Sequence, residues 1–369
     1  MNAPLTVLHV ETGRHLYGGA LQVAYLLRGL QAAGLRNLLV CPPGSAIATA
    51  AREAGVTVLE TAMAGDADVG FVFRLRRILR RERPDIVHLH SRRGADLWGG
   101  IAARLAGIPV ILTRRVDNPE PRWWVGLKYG LYDRVLSISE GIRQVLIAEG
   151  LAPSRVSCVH SAVDTERYRP GCADAVNFRR ALGLRDDGPV LGVVAQLIAR
   201  KGHRYLLQAL PGILAVQPQT QVVFLGQGPL EAELRAEVEQ LGLGDTVHFA
   251  GFRDDLEQLL PCLDVLVHPA EMEGLGVSLL QAAACGVPIV AFPAGGIPEI
   301  VCEGETGYLP ALGDVSALQQ RIIELLQDPQ RARSLGQQGR ALVERAFSID
   351  AMVQGNLAVY RQLLFQRPA

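Results

Sequence analysis

The chain has 369 residues, 49% of them hydrophobic and 20% charged, which is too apolar for disorder and long enough for two cores of ordinary size. Its 37 basic and 37 acidic residues cancel, which excludes the basic balance of a general nucleic-acid binder. The cancellation hides a segregation: residues 1–170 hold 22 basic and 15 acidic residues, a net of +7, and the remainder holds the opposite excess.

In the first half, short apolar runs predict strands at Leu5–Val10, Leu38–Cys41, Val56–Leu59, Ile86–His90, Val110–Thr113, Val135–Ile138 and Val156–His160. Between them lie stretches of 3.6-residue period such as Leu21–Ala33 and Ala95–Ala106. Near-continuous apolar strands alternating with helices predict a parallel sheet covered on both faces, a doubly wound α/β domain. Residues 161–188, rich in Pro and Gly, read as a linker with one helix at Ala175–Leu182. A second series follows, with strands at Val190–Ala195, Val222–Leu225, Val247–Ala250, Val265–His268 and Pro288–Ala291. Its helices are expected at Tyr205–Ala215, Leu230–Gln240, Ser278–Ala284 and Ala317–Leu326, and the tail to about 365 is helical. The expected domains are 1–170 and 171–345, followed by a terminal helix, 346–369. Two such domains leave a cleft at the carboxyl edges of their strands, where open α/β sheets bind ligands.

None of the six cysteines has zinc-site spacing, no basic-then-apolar leader opens the chain, and no 18-residue apolar run is present. Free thiols and a cytoplasmic location are therefore expected.

The loops after the strands carry the chemistry. Gly18-Gly19 before a helix lets backbone approach a phosphate or sugar, or is an ordinary tight turn. Gln196 through Gly202 places Arg200 and Lys201 side by side between strand and helix, which suits a diphosphate or is a solvated basic turn. Only Lys128 and Lys201 are lysines among 37 basic residues, so Lys201 marks a place for a compact point charge. The segment His268 to Gly276 ends a strand, passes Glu273 and opens a helix whose first amides, Gly274 to Val277, can hold an anion, with Gln281 one turn on. Its carboxylates read equally as helix caps. Asp66-Ala67-Asp68 has a metal-binding form but sits in a Gly-rich connection. His88 and His90 share a strand face, with His88 structural and His90 placed to reach the cleft. Phe71–Arg83 is a basic amphipathic helix and Trp123-Trp124 follows, features of either a solvated surface or an anionic membrane contact.

At Gly226-Gln227-Gly228-Pro229, Val247 to Gly251, Glu273 to Gln281, Gly295 to Glu299, Gly304 to Gly307 and the hinge-like Val163 to Pro170, the chain resembles the retaining nucleotide-sugar glycosyltransferases of family four, of GT-B fold. The resemblance covers almost the whole chain and implies that the terminal helix, 346–369, crosses back to the first domain. It implies that Lys201 binds the donor diphosphate, that Gly274, Leu275, Gly276 and Val277 present backbone to sugar and phosphates, and that Glu273 meets the sugar hydroxyls. Gly18 and Gly19 approach the diphosphate, and Gly226, Gly251 and Phe252 belong to the donor pocket. Three positions depart from the family pattern. Gln281 stands where a Glu usually meets the ribose, Gln196 stands where an Arg is usual (Arg200 supplies the cation), and Arg114-Arg115 replace a His after Thr113. Arg115 or His90 takes that contact, with Arg92 beside it on the acceptor side.

The implied reaction is metal-independent transfer, with no cofactor, from a nucleoside-diphosphate sugar, UDP favoured, to a cell-envelope glycan or glycolipid such as a lipopolysaccharide core. The basic half would face the acceptor and an anionic membrane, giving peripheral attachment at the inner face. An epimerase or phosphorylase of the same fold, or a non-catalytic partner subunit, are the alternatives.

Overall fold

The computed structural model describes residues 4–16, 18–91, 94–172 and 174–365. They divide into two compact units, one running to Ala162 and resuming at Ile349, the other Val163–Ser348. The break thus falls after Ala162, within the expected linker 161–188 and eight residues ahead of the expected boundary at 170.

The first unit alternates strand and helix: β1 (Thr6–Val10), α1 (Gly19–Ala32), β2 (Arg36–Cys41), α2 (Ala46–Glu53), β3 (Thr57–Glu60), α3 (Gly70–Glu82), β4 (Ile86–Leu89), α4 (Ala95–Ala106), β5 (Val110–Arg114), α5 (Arg122–Tyr129), β6 (Arg134–Ser137), α6 (Glu140–Ala148) and β7 (Val156–Cys158). All pairings are parallel, in the order β3-β2-β1-β4-β5-β6-β7. Strands buried on both faces are mostly apolar, which is why β1, β4 and β5 are rich in Val, Leu and Ile, interrupted by Thr6 and His9, by His88, and by Thr113 and Arg114.

The second unit contains α7 (Ala175–Leu182), β8 (Val190–Val194), α8 (His203–Val216), β9 (Gln221–Leu225), α9 (Glu231–Gln240), β10 (Val247–Gly251), α10 (Leu256–Leu259), β11 (Val265–His268), α11 (Val277–Ala284), β12 (Ile289–Ala291), β13 (Gly307–Tyr308), α12 (Val315–Gln327) and α13 (Pro329–Ala346). Its parallel sheet runs β10-β9-β8-β11-β12-β13. Leu206, Leu207, Leu210, Phe224, Val267, Phe292 and Leu335 are at its core.

A last helix, α14 (Ile349–Phe365), belongs to the first unit. It packs Met352, Val353, Leu357 and Tyr360 against Leu26 and Leu30 of α1, and the approach is close enough that a Cβ on Gly29 would strike Val353.

The disulfide Cys172–Cys262, with Cα atoms 4.7 Å apart, corrects the expectation of six free thiols and removes the thiol argument for a reducing compartment. The segment after the hinge lies against the turn Leu260–Cys262, a proximity that 90 residues of separation conceal. No helix among the described residues is long and apolar enough to cross a membrane.

Candidate active site

In each sheet the strand order reverses once, between β1 and β4 and between β8 and β11. At such a reversal the flanking loops part and leave a crevice at the carboxyl edge. In the second unit the loops after β8 and β11 carry Arg200, Lys201 and Glu273. They are held tightly together. Gly202 has φ +68, and a Cβ there would run into the carbonyl of Pro269; one on Gly295 (φ +55) would run into the carbonyl of Glu273. Gly226 and Gly228 similarly let the loop after β9 press on the carbonyls of Ala195 and Leu197, so Gly226 has a packing reason for being glycine.

This packing brings Lys201 Nζ to 2.5 Å from Glu273 Oε2, across 72 residues of sequence. His268, the last residue of β11, places Nε2 3.0 Å from the same oxygen. Glu273 Oε1 accepts from the amide of Gly274 at 3.1 Å. Burial pushes the Glu273 carboxyl up, but the His268 hydrogen bond and the Lys201 ammonium outweigh it and hold the pKa at about 2. Glu273 is therefore an anion at neutral pH, held in place by a cation that has further protons to donate. Gly276, at φ +95, turns the chain into α11 without a side-chain cap. Leu275 behind it is buried, while Gly274 and Val277 are half-exposed.

Around this centre Gln196 and Arg200 are exposed, and Arg200 lies 3.8 Å from Met272 Sδ. Gly251 has φ +66 and Phe252 beyond it is 58% exposed. Gln281 is buried, and its amide donates to the Tyr168 hydroxyl at 2.9 Å, which ties α11 to the hinge segment. Neither His268, which opens the segment leading to Glu273, nor Tyr168 of the hinge-like stretch was among the expected site residues. A polar residue closing an apolar strand, as His268 does, is the signal that could have found the first.

In the first unit His9, His88 and His90 gather where β1 meets β4. His88 bonds the hydroxyls of Tyr360 (2.6 Å) and Thr113 (2.7 Å), a structural role that fastens α14 to the sheet. His90 corrects an expectation. It is only 4% exposed, and its Nε2 lies 3.0 Å from His9 Nδ1, because the strand end turns the ring into the sheet instead of into open space. Burial keeps all three uncharged, His9 with a pKa of about 3 and the others well below normal. Arg115 is half-buried, and its pKa is pushed down to about 10 by burial against the pull of Glu11. Gly18 has φ +54 with open space beside it, and a Cβ on Gly19 would sit 3.2 Å from Arg115 Cδ, so Gly19 leaves room for the Arg115 side chain. Glu11, absent from the expected set, accepts from Ser91 Oγ (2.5 Å) and the Gly13 amide (2.7 Å) and shapes the loop. Arg92 lies outside the described residues. Asp68 of the D-x-D stretch is 2.5 Å from Arg74 Nη2 and accepts from the Ala64 amide.

The sequence matches the glycosyl transferases group 1 family over residues 174–342 and glycosyltransferase family 4 over residues 17–167. It is 30% identical over 312 residues to a 2-deoxystreptamine glucosyltransferase of Streptomyces kanamyceticus, covering 78% of this chain and 80% of that one. The chain belongs to the group 1 glycosyltransferases. It is also 36% identical over 202 residues, about half of each chain at 52%, to a GDP-mannose-dependent monoacylated alpha-(1-6)-phosphatidylinositol monomannoside mannosyltransferase of Corynebacterium glutamicum. Among solved structures it resembles Anabaena HepE in complex with UDP and glucose, with a TM-score of 0.83, 21% identity, and coverage of 97% of this chain and 100% of that one. The two parallel-sheet units and this likeness establish the GT-B fold. This group 1 glycosyltransferase thus presents a compact charged centre at the sheet reversal of its second unit.

Proposed function

We propose that the protein is a retaining hexosyltransferase. It moves a sugar from a nucleoside-diphosphate sugar, a UDP-sugar, to a cell-envelope glycan or glycolipid such as a lipopolysaccharide core, using no metal or other cofactor. The observation that carries this reading is the Lys201–Glu273–His268 arrangement at the foot of α11. As the anomeric C–O bond to phosphate breaks, negative charge collects on the leaving diphosphate. Lys201, Arg200 and the uncapped first turn of α11 supply fixed positive charge there, the task a divalent cation performs elsewhere. Ionised Glu273 accepts from the donor sugar's hydroxyls. The acceptor oxygen attacks from the face the phosphate leaves, its proton passes to a phosphate oxygen, and the new C–O bond keeps the anomeric configuration.

The family relatives support a broad acceptor class: one is named for 2-deoxystreptamine, another for a phosphatidylinositol monomannoside. Peripheral membrane contact is supported by α3, whose exposed Phe73 accompanies a row of arginines, and by Trp123, 73% exposed. Flotation with anionic and neutral vesicles tests that part, and equal recovery from both overturns it. The reaction is tested by a thermal-shift screen of UDP-, GDP- and ADP-sugars, then NMR of the product's anomeric proton with and without EDTA. Stabilisation by a UDP-sugar and an EDTA-insensitive product of unchanged configuration are expected. An inverted product, or loss of turnover in EDTA restored by a divalent metal, refutes the mechanism.

A further inference from the structure

His268 closes β11, whose other residues, Val265, Leu266 and Val267, are all apolar and buried. Val265 and Val267 pack into the core of the second unit, so the strand's period of two turns His268 to the opposite face, with Leu266. An imidazole there is costly. The residue is only 1% exposed, and its Nδ1 has no hydrogen-bond partner among the described residues. A buried polar atom left unpaired opposes folding, and a leucine would fill the place without that cost.

What offsets the cost is the other ring nitrogen. Nε2 lies 3.0 Å from Glu273 Oε2. An ionised carboxylate can only accept, so Nε2 carries the proton and donates it. The donors around Glu273 divide its two oxygens unevenly. Oε2 takes both side chains, Lys201 Nζ at 2.5 Å and His268 Nε2 at 3.0 Å, while Oε1 takes only the Gly274 amide at 3.1 Å. A carboxylate has about four lone-pair positions, two on each oxygen. Lys201, His268 and Gly274 fill all but one, and that one is on Oε1. The main chain of Glu273 is fixed as well, since its carbonyl accepts from the Gly296 amide at 3.3 Å. Lys201 commits one ammonium proton to Oε2 and keeps the others.

We propose that His268 is a positioning residue for donor recognition: with Lys201 it occupies Oε2 of Glu273, and so leaves Oε1 to accept from one hydroxyl of the donor sugar. The proposal rests on the glycosyl-transfer reading and narrows it. Glu273 reads a single hydroxyl, and the remaining protons of Lys201 serve the diphosphate. His268 acts through Glu273 and does not touch the sugar. His268→Leu keeps the apolar packing but lets the carboxylate turn. His268→Gln brings an amide N–H to about the place of Nε2.

Calorimetry on the full-length protein with UDP and UDP-glucose tests it. His268→Leu is expected to weaken UDP-glucose about ten-fold, the scale of one hydrogen bond to a charged group, and to leave UDP within about two-fold. His268→Gln should recover most of that loss. An equal loss for UDP and UDP-glucose marks a collapsed pocket and overturns the positioning role. So does normal UDP-glucose binding by His268→Leu, or no recovery in His268→Gln. The 2-, 3-, 4- and 6-deoxy forms of UDP-glucose, measured on the parent and on Glu273→Gln, should show coupling to Glu273 at one hydroxyl only; coupling at two, or at none, overturns the single open position. Long-range proton–nitrogen NMR of histidine-labelled protein needs no ligand. The His268 Nε2 is expected to be protonated at pH 7 and to shift in Glu273→Gln, and a bare Nε2 overturns the hydrogen bond. If neither UDP nor UDP-glucose binds while Nε2 behaves as expected, the UDP-sugar reading fails instead.

Discussion

Replacing Lys201 by methionine keeps the stem of the side chain and removes the ammonium that sits 2.5 Å from Glu273. The two side chains are 12% and 17% exposed, so water screens the pair only partly. In the variant, Glu273 keeps His268 and the Gly274 amide against the burial that raises its pKa. The full depression from 4.5 to about 2 corresponds to roughly 3 kcal/mol at ~1.4 kcal/mol per tenfold change in proton affinity. Lys201 and His268 share it, which leaves about 1–2 kcal/mol for the ammonium. A depressed carboxylate contributes stability in full above its unfolded value of 4.5, and that contribution is lost as pH falls toward 2. The variant is therefore expected to melt about 3–6 °C below the parent at pH 7. The gap should close in scanning calorimetry as the pH is taken from 4.5 toward 3. Transfer rates at saturating donor should fall at least ~100-fold, the scale of losing a charged contact to a developing anion. A melting gap that does not change with pH, or turnover within about three-fold of the parent, would refute the reasoning.

Other perturbations separate the elements of the fold. Gly295→Ala forces a side chain into a left-handed position against the carbonyl of Glu273, and should cost about 1–3 kcal/mol in urea unfolding and lower turnover per folded molecule. Full turnover in the folded fraction would show that Glu273 does not depend on that loop. Because burial holds His9, His88 and His90 below their unfolded value of 6.5, the unfolded chain takes up protons first as the pH drops. Stability is thus expected to fall below pH 6.5 with a slope of up to about 1.4 kcal/mol per pH unit for each histidine. Urea melts at pH 7, 6 and 5 check this, and a flat series contradicts it. Cys262→Ser opens a cross-link spanning 90 residues and should lower stability by about 2–4 kcal/mol, with dithiothreitol giving the same result on the parent.

Much of the architecture was legible because doubly buried strands leave little choice of residue. The β11 strand and the helices α4 and α7 have the limits their apolar runs and flanking turns suggested. By contrast β13, two residues long, has no pattern of its own and exists through its pairing with β12. In the site, Lys201 and Glu273 were each visible as charged residues in strand-to-helix loops. Their contact was not, since it arises from β8 and β11 lying side by side. His90 shows the converse difficulty: a period of two fixes its face of the sheet but not the crowding of three imidazoles that encloses it.

The last helix has a consequence for how the protein is made. The second unit is one continuous stretch, Val163–Ser348, whereas the first waits for α14. Chains emerge amino end first, at about 5–20 residues per second. The opening 162 residues therefore leave the ribosome well before Tyr360 can reach His88, or Leu357 can cover α1. The first domain must stay unfinished, with an apolar face open, while the second is translated and folds. Assembly is ordered from the middle of the chain outward, and an interrupted chain keeps that uncovered face.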